Sequence, residues 1–216
     1  MGERFIMRKW LNLFLGVVIS GFGIALVVNA GLGAFPITAG NFALSELLNI
    51  PYSVASVVVE LIMIIVASIF KEKIGITTIV NGLFGGVAID LCKLIIPSVN
   101  FLPLQILMLL LGTVVLSVGN YFLMKTGLGN SSSNSIQNVI QKVTGRSTGF
   151  ARNTIEVVFL FVGMLGSQVG IATIILSLGY GTVMGLIFKV LKFNPLAVKQ
   201  NYIKRKQTHY FELLIN

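Results

Sequence analysis

Two four-residue stretches, Ala30-Gly31-Leu32-Gly33 and Thr126-Gly127-Leu128-Gly129, decide how the chain reads. Gly31 and Gly127 lie 96 positions apart (127 − 31), and the same offset pairs Gly16 with Gly112, Gly23 with Gly119 and Glu60 with Glu156. The two acids weigh most, because a carboxylate in hydrocarbon is costly and is kept only with a partner or a task. In the last segment of each half the offset slips to 95 (170 − 75), pairing Gly75 with Gly170, Thr78 with Thr173 and Gly86 with Gly181. The ordered series indicates a duplicated unit.

Composition sets the class. The 216 residues are 55% hydrophobic and 11% charged, where a soluble domain carries about 25% charged residues. Mean hydropathy is +0.92. Such a chain is an integral membrane protein. Its net charge of +9 comes from basic residues between apolar runs and at the ends, which suits cytoplasmic loops facing anionic lipid. No aromatic-basic reader motif accompanies the charge, so nucleic acid is not an expected partner. A single Cys92 excludes an intrachain disulfide and a Cys-rich metal site, and His209 stands alone in the tail. There is no paired His and acid, no nucleophile elbow and no phosphate-cradling loop. The expectation is therefore a protein with no catalytic residue, no metal and no cofactor, and not an enzyme.

Arg4, Arg8 and Lys9 precede an apolar run that begins at Trp10. The run is long enough to span, and no small-x-small cleavage site follows before Pro36, so it reads as an uncleaved first helix. Six spans are expected: Trp10 to Asn29, Tyr52 to Phe70, Ile74 to Ile96, Leu102 to Met124, Phe150 to Leu165 and Gly170 to Leu191. Pro36 suits the first turn of a further helix reaching towards Ile50, too short and too polar to cross. Asn130-Ser131-Ser132-Ser133-Asn134 is rich in N-cap residues. The helix after it puts Ile136, Val139, Ile140 and Val143 on one face and Gln137, Asn138 and Gln141 on another, so it occupies an interface or lines a wet cavity.

Charge bias orients the spans. With the N-terminus inside, the inner side collects Arg4, Arg8, Lys9, Lys71, Lys73, Lys125, Lys142, Arg146, Arg152 and the basic tail with Lys204-Arg205-Lys206. The outer segments 30–51, 97–101 and 166–169 contain no Lys or Arg. Both termini are thus expected in the cytoplasm. Three spans per half force the halves into opposite orientation, related by a two-fold axis in the membrane plane. The expected fold is all-α: one membrane domain of two inverted three-helix repeats, about 8–97 and 102–192, each with a short extra helix after its first span, then the tail 193–216.

Glu60 and Glu156 fall near the middle of equivalent spans and are the leading substrate- or proton-binding candidates, with Asn81, Asp90 and Arg152 beside them. A two-fold axis would bring the acids towards the protein centre. An acid that holds a proton until a cation arrives is what a proton-coupled carrier needs. The plainer alternatives are that Arg152 pairs with Glu156 four residues on, that Glu60 bonds a neighbouring hydroxyl, and that Asp90 pairs with Lys93. The turns at Gly31, Gly33, Gly127 and Gly129, with Ser131 and Ser132, stop a span and aim helix N-terminal amides at whatever lies nearby, an arrangement that attracts anions. Plain helix capping is the alternative.

The order Ala30-Gly31-Leu32-Gly33-x-x-Pro36, then Gly75-Ile76-x-Thr78-x-x-Asn81-x-x-x-Gly85-x-x-x-x-Asp90, then Gly127-Leu128-Gly129, Thr144-Gly145-Arg146-Ser147, Arg152-x-x-x-Glu156 and Gly170-x-x-Thr173 resembles the YczE/YyaS/YitT-type bacterial integral membrane proteins over about residues 8 to 192. The family's Trp-Asp after the first-turn proline is Ile37-Thr38 here, which removes an acid. The resemblance implies a six-span bacterial inner-membrane protein of a group often placed with transporters and mostly without an assigned substrate. The expected function is a small-molecule secondary carrier of the plasma membrane, proton-coupled through Glu60 and Glu156. Its expected partners are the lipid bilayer and a small-molecule substrate of unassigned identity, with a homodimer allowed. The competing class is a non-transporting membrane accessory that supports a membrane-associated enzyme or a stress pathway.

Overall fold

The structure, a computed structural model, describes residues 2–72 and 75–195, with side chains from residue 7 onward. The expected positions of Lys73, of the Arg4 side chain and of the basic tail with His209 fall outside the described residues. Eight helices and no strand occur among the described residues: α1 Gly2–Asn29, α2 Pro36–Leu48, α3 Tyr52–Ile69, α4 Ile76–Ile95, α5 Leu102–Lys125, α6 Ser132–Thr144, α7 Thr148–Gly163 and α8 Ile171–Val190. Five of them, α1, α3, α4, α5 and α8, are long and apolar enough to cross a membrane. The fifth predicted span, α7, has 16 residues, short of the roughly 20 that a bilayer core needs.

Burial runs opposite to that of a soluble protein. Leu61, Ile62 and Ile65 on α3 and Leu83, Phe84 and Val87 on α4 are exposed, while Ser117, Asn120, Thr77, Gln137 and Asn138 are buried. In hydrocarbon no water satisfies a polar group, so polar side chains turn inward and greasy ones outward. The amphipathic α6 obeys this rule. Its polar face, from Ser132 through Asn134, Gln137, Asn138 and Gln141, is buried, whereas Val143 is exposed.

α1 and α5 form the central pair and run antiparallel. A Cβ added at Gly16 would meet Leu123 at 2.8 Å, one at Gly119 would meet the Ser20 nitrogen at 2.7 Å, one at Gly23 the Leu116 nitrogen at 2.6 Å, and one at Gly112 the Val27 Cγ2 at 2.7 Å. Small residues at these four points let the two backbones approach. α4 packs on α1 and α8 on α5; α2 packs on α7, and α3 on α6.

The two glycine turns cross onto the opposite half. Gly33 and Gly129 both adopt φ +115°, a conformation that a Cβ disfavours. The Gly33 turn sits against Gly170 at the start of α8, where the Ala172 amide donates to the Leu32 carbonyl at 3.0 Å. The Gly129 turn sits against Gly75 at the start of α4, where the Thr77 amide donates to the Leu128 carbonyl at 3.5 Å. At both helix starts a Thr hydroxyl, Thr78 or Thr173, accepts from the glycine amide at 3.1 Å. The turns therefore fix where α2 and α6 begin and where their N-termini point.

Candidate functional site

The N-terminal amides of the two short helices point at the two acids, each from the opposite half. The Ile37 amide, in the first turn of α2, donates to Glu156 Oε2 at 3.3 Å. Ser132, at the start of α6, donates its hydroxyl to Glu60 Oε2, with its backbone amide beside the same carboxylate. A helix N-terminus carries roughly half a positive charge, which favours an anion there. The anion that the turns recruit is the protein's own carboxylate.

The acids differ in everything else. Glu156 is fully buried and ion-paired: Arg152 Nη2 lies 2.7 Å and Nε 2.8 Å from Oε1. Arg152 also lies over the Tyr180 ring at 5.0 Å, and its Nη1 donates to Ser133 Oγ at 3.4 Å. Glu60 is half-buried, and its side-chain hydrogen-bond partners are neutral donors, Ser132 and the Asn81 amide at 3.1 Å. The position equivalent to Arg152 in the first half is Ser56 (152 − 96), which donates to the Ser53 carbonyl at 2.9 Å. No hydrogen bond or ion pair joins Glu60 to Glu156 among the described residues; each carboxylate is held at a helix start instead.

A cavity of about 110 Å³ lies between the halves, lined by Glu60, Asn81 and Arg152 together with Asn41, Asn120 and Ser133. Gly82, Gly85 and Gly86 form its α4 wall. Gly85 is equivalent to Tyr180 (180 − 95) in the second half, where the ring is fully buried and packs edge-on against Phe35. One half is thus plugged by an aromatic ring where the other is hollow. Asn120 ties the floor together. Its Nδ2 donates to the Tyr180 hydroxyl at 2.9 Å, and its Oδ1 accepts from Asn134 Nδ2 at 3.0 Å.

Of the sequence candidates, Glu60, Asn81 and Arg152 meet at the cavity, together with Ser131. Ser132 reaches it through Glu60, and Glu156 through Arg152. Asp90 does not line it; it follows Ile89, which does. Lys93 lies over the Phe42 ring at 4.9 Å and acts on Asp90 through its charge, with no ion-pair contact between the two among the described residues. Gly31, Gly33, Gly127 and Gly129 stand in the turns, away from the cavity wall, and act through the helix ends they place. Asn41, Asn120, Ser133 and Tyr180 were missed. An Asn in the middle of an apolar span was a readable signal for Asn120. Ser133 belongs to the N-cap-rich run 130–134, and nothing local marks Asn41 or Tyr180. The α6 face also carries buried side-chain atoms without a hydrogen-bond partner, on Asn134, Gln137, Asn138 and Gln141, so the polar stripe continues from Asn120 towards the Lys142 end of the helix.

The chain is similar to the "Uncharacterized protein YyaS" of Bacillus subtilis (strain 168), with 22% identity over 208 residues that cover 94% of this chain and 100% of that protein. No solved structure matches. Residues 7–189 match a family described as "Family of unknown function (DUF6198)", and on that span the chain, an all-helical multi-pass membrane protein, belongs to it.

Proposed function

We propose that this protein is a small-solute secondary carrier of the bacterial plasma membrane, proton-coupled through Glu60. The observation that carries the proposal is the central cavity, in which a carboxylate and a guanidinium face the same space among neutral polar side chains such as Asn41, Asn81, Asn120 and Ser133. Ionisable side chains at membrane depth mark solute and proton pathways. Glu60, held by neutral donors, is the acid free to exchange a proton. Glu156, locked to Arg152, positions the guanidinium. This divides between two residues what the sequence reading assigned to both.

The same reading takes the chain as one membrane domain of six spans in two inverted repeats, with both termini in the cytoplasm. The support is the antiparallel packing of the equivalent helices α1 and α5 and the reciprocal turn contacts Gly33–Gly170 and Gly129–Gly75. α7 then crosses as a short span whose exposed Val158, Phe161 and Val162 meet lipid. The likeness in motif order to YczE- and YitT-type proteins belongs to this reading too, as do the absence of enzymatic chemistry and the lipid and small-molecule partners. A packed apolar centre would have favoured a non-transporting accessory; a polar cavity with a buried charge pair does not.

The test is uptake of a solute panel into proteoliposomes under an imposed pH gradient, comparing the wild type with Glu60→Gln and Glu156→Gln. Gradient-driven uptake by the wild type and none by Glu60→Gln is the expected result. Equal uptake by all three would remove the proton-carrier reading.

A further inference from the structure

Two charged side chains, Glu60 and Arg152, line the cavity, and no hydrogen bond or ion pair joins them among the described residues. Glu60 ends one wall, bonded to Asn81 and Ser132, both uncharged. Arg152 ends another; its Nε and Nη2 are committed to Glu156, while its Nη1 has only the 3.4 Å contact with Ser133. Two further lining atoms, Asn41 Oδ1 and Ser20 Oγ, belong to residues 8% exposed and have no hydrogen-bond partner. A buried polar group left unpaired is costly, so a cavity holding a carboxylate with only neutral hydrogen-bond donors, a weakly engaged guanidinium nitrogen and unpaired oxygens suits a polar occupant.

Charge bookkeeping narrows the class. Arg152 and the α2 N-terminus compensate Glu156, and the α6 N-terminus, with its roughly half charge, partly compensates Glu60. The site is close to neutral yet dipolar. A lone cation would satisfy Glu60 and leave the Arg152 pole facing it with like charge. A lone anion would satisfy Arg152 and face Glu60. A molecule carrying both charges satisfies both poles and brings no net charge into hydrocarbon, where each unit of charge is costly. Size narrows it further: a cavity of about 110 Å³ admits a small solute only.

We infer that the cavity binds a small zwitterion, an ammonium and a carboxylate one or two carbons apart, with the ammonium at Glu60 and Asn41 and the carboxylate at Arg152 and Ser133. This rests on the reading of the cavity as the solute site of a carrier. Gly82, Gly85 and Gly86 provide the room, since a Cβ at Gly85 meets nothing nearer than Asn81 at 3.7 Å while one at Gly82 already touches Glu60 Cγ at 3.0 Å.

Direct binding to the full chain, purified in detergent, tests this at neutral pH and constant ionic strength. The probes are radiolabelled glycine, β-alanine and glycine betaine, set against ethylamine and propionate as the single-charge counterparts. At least one zwitterion is expected to bind saturably, with both single-charge probes at least tenfold weaker. Glu60→Gln keeps one acceptor, for the Asn81 amide, and turns its NH2 to the Ser132 hydroxyl, which can accept; it is expected to weaken zwitterion binding at least tenfold while raising the preference for propionate. Ser133→Ala, which removes only a neutral hydroxyl beside Arg152 and leaves the Arg152–Glu156 pair in place, serves if that variant fails to fold; it is expected to weaken zwitterions and propionate alike and leave ethylamine unchanged. Ethylamine or propionate binding as tightly as the zwitterions overturns the inference, as does binding by none of the probes. Zwitterion binding without uptake into liposomes leaves the ligand class standing and removes the carrier. Gradient-driven uptake of ethylamine or propionate alone does the reverse.

Discussion

Replacing Glu156 by Gln isolates one buried charge. Glu156 is 0% and Arg152 5% exposed, and two guanidinium nitrogens reach the same carboxylate oxygen at 2.7 and 2.8 Å. Gln has nearly the same shape, but with its carbonyl on the Ile37 amide its NH2 faces Arg152, so the countercharge and the acceptor of both guanidinium nitrogens disappear together. Breaking a buried pair from one side costs about 3–5 kcal/mol because the remaining charge is uncompensated. Glu60 lines the same cavity as Arg152 and supplies a second, more distant carboxylate, so the expected loss lies near the lower end, about 3 kcal/mol. The double variant Arg152→Gln/Glu156→Gln removes both charges and is expected within about 1 kcal/mol of the wild type, since a neutral pair of similar volume avoids the desolvation cost. Reversible unfolding in mixed micelles, run as a double-mutant cycle, reads the coupling directly. A single-variant loss below about 1 kcal/mol, or a double variant worse than Glu156→Gln alone, would refute the description of a dry, mutually dependent pair.

Further expectations follow from other parts of the fold. Gly129→Ala combines the φ +115° backbone with a Cβ that would sit 2.6 Å from Gly75 Cα; strain of about 1–3 kcal/mol plus the clash should abolish folded yield in detergent. Gly145→Ala, at φ +66° with open space around it, should cost only about 1–2 kcal/mol in the same assay, and equal losses for the two would contradict the crossing. Tyr180→Phe removes the acceptor of the Asn120 amide, and micelle unfolding should show a loss of about 0.5–1.5 kcal/mol. Glu46, at the end of α2, accepts the Ser167 hydroxyl at 2.5 Å and the Ser167 amide at 2.8 Å, which holds its carboxyl below the ordinary 4.5. The latch between α2 and the loop before α8 therefore contributes in full above pH 4.5 and is lost as the pH falls through the lowered value. Protection of the Ser167 amide against hydrogen exchange, taken relative to its intrinsic rate at each pH, should fall over that acidic interval and not near neutrality, and a transition at pH 6–7 would count against the contact.

The helices were legible because their cause is local. Hydrocarbon admits only backbone that satisfies its own hydrogen bonds, so a span is written as an apolar run between polar turns. The runs from Tyr52 and Leu102 become α3 and α5 to within a residue at each end. The glycine turns were equally visible, and both take the left-handed backbone that only glycine adopts freely. That Glu60 and Glu156 matter could be read from their rarity and spacing. What holds them could not. Glu60 is bonded 72 positions away at Ser132 and Glu156 119 positions away at Ile37, and such partnerships exist only once α1 and α5 have packed and the turns have crossed. The same packing decides that Glu156 is sealed against Arg152 while Glu60 faces a cavity, although their equivalent positions made them look interchangeable. Sequence spacing reports which residues share a helix face; which face meets which neighbour is settled by close packing between segments far apart in the chain, and the asymmetry between Gly85 and Tyr180 acquires its meaning only there.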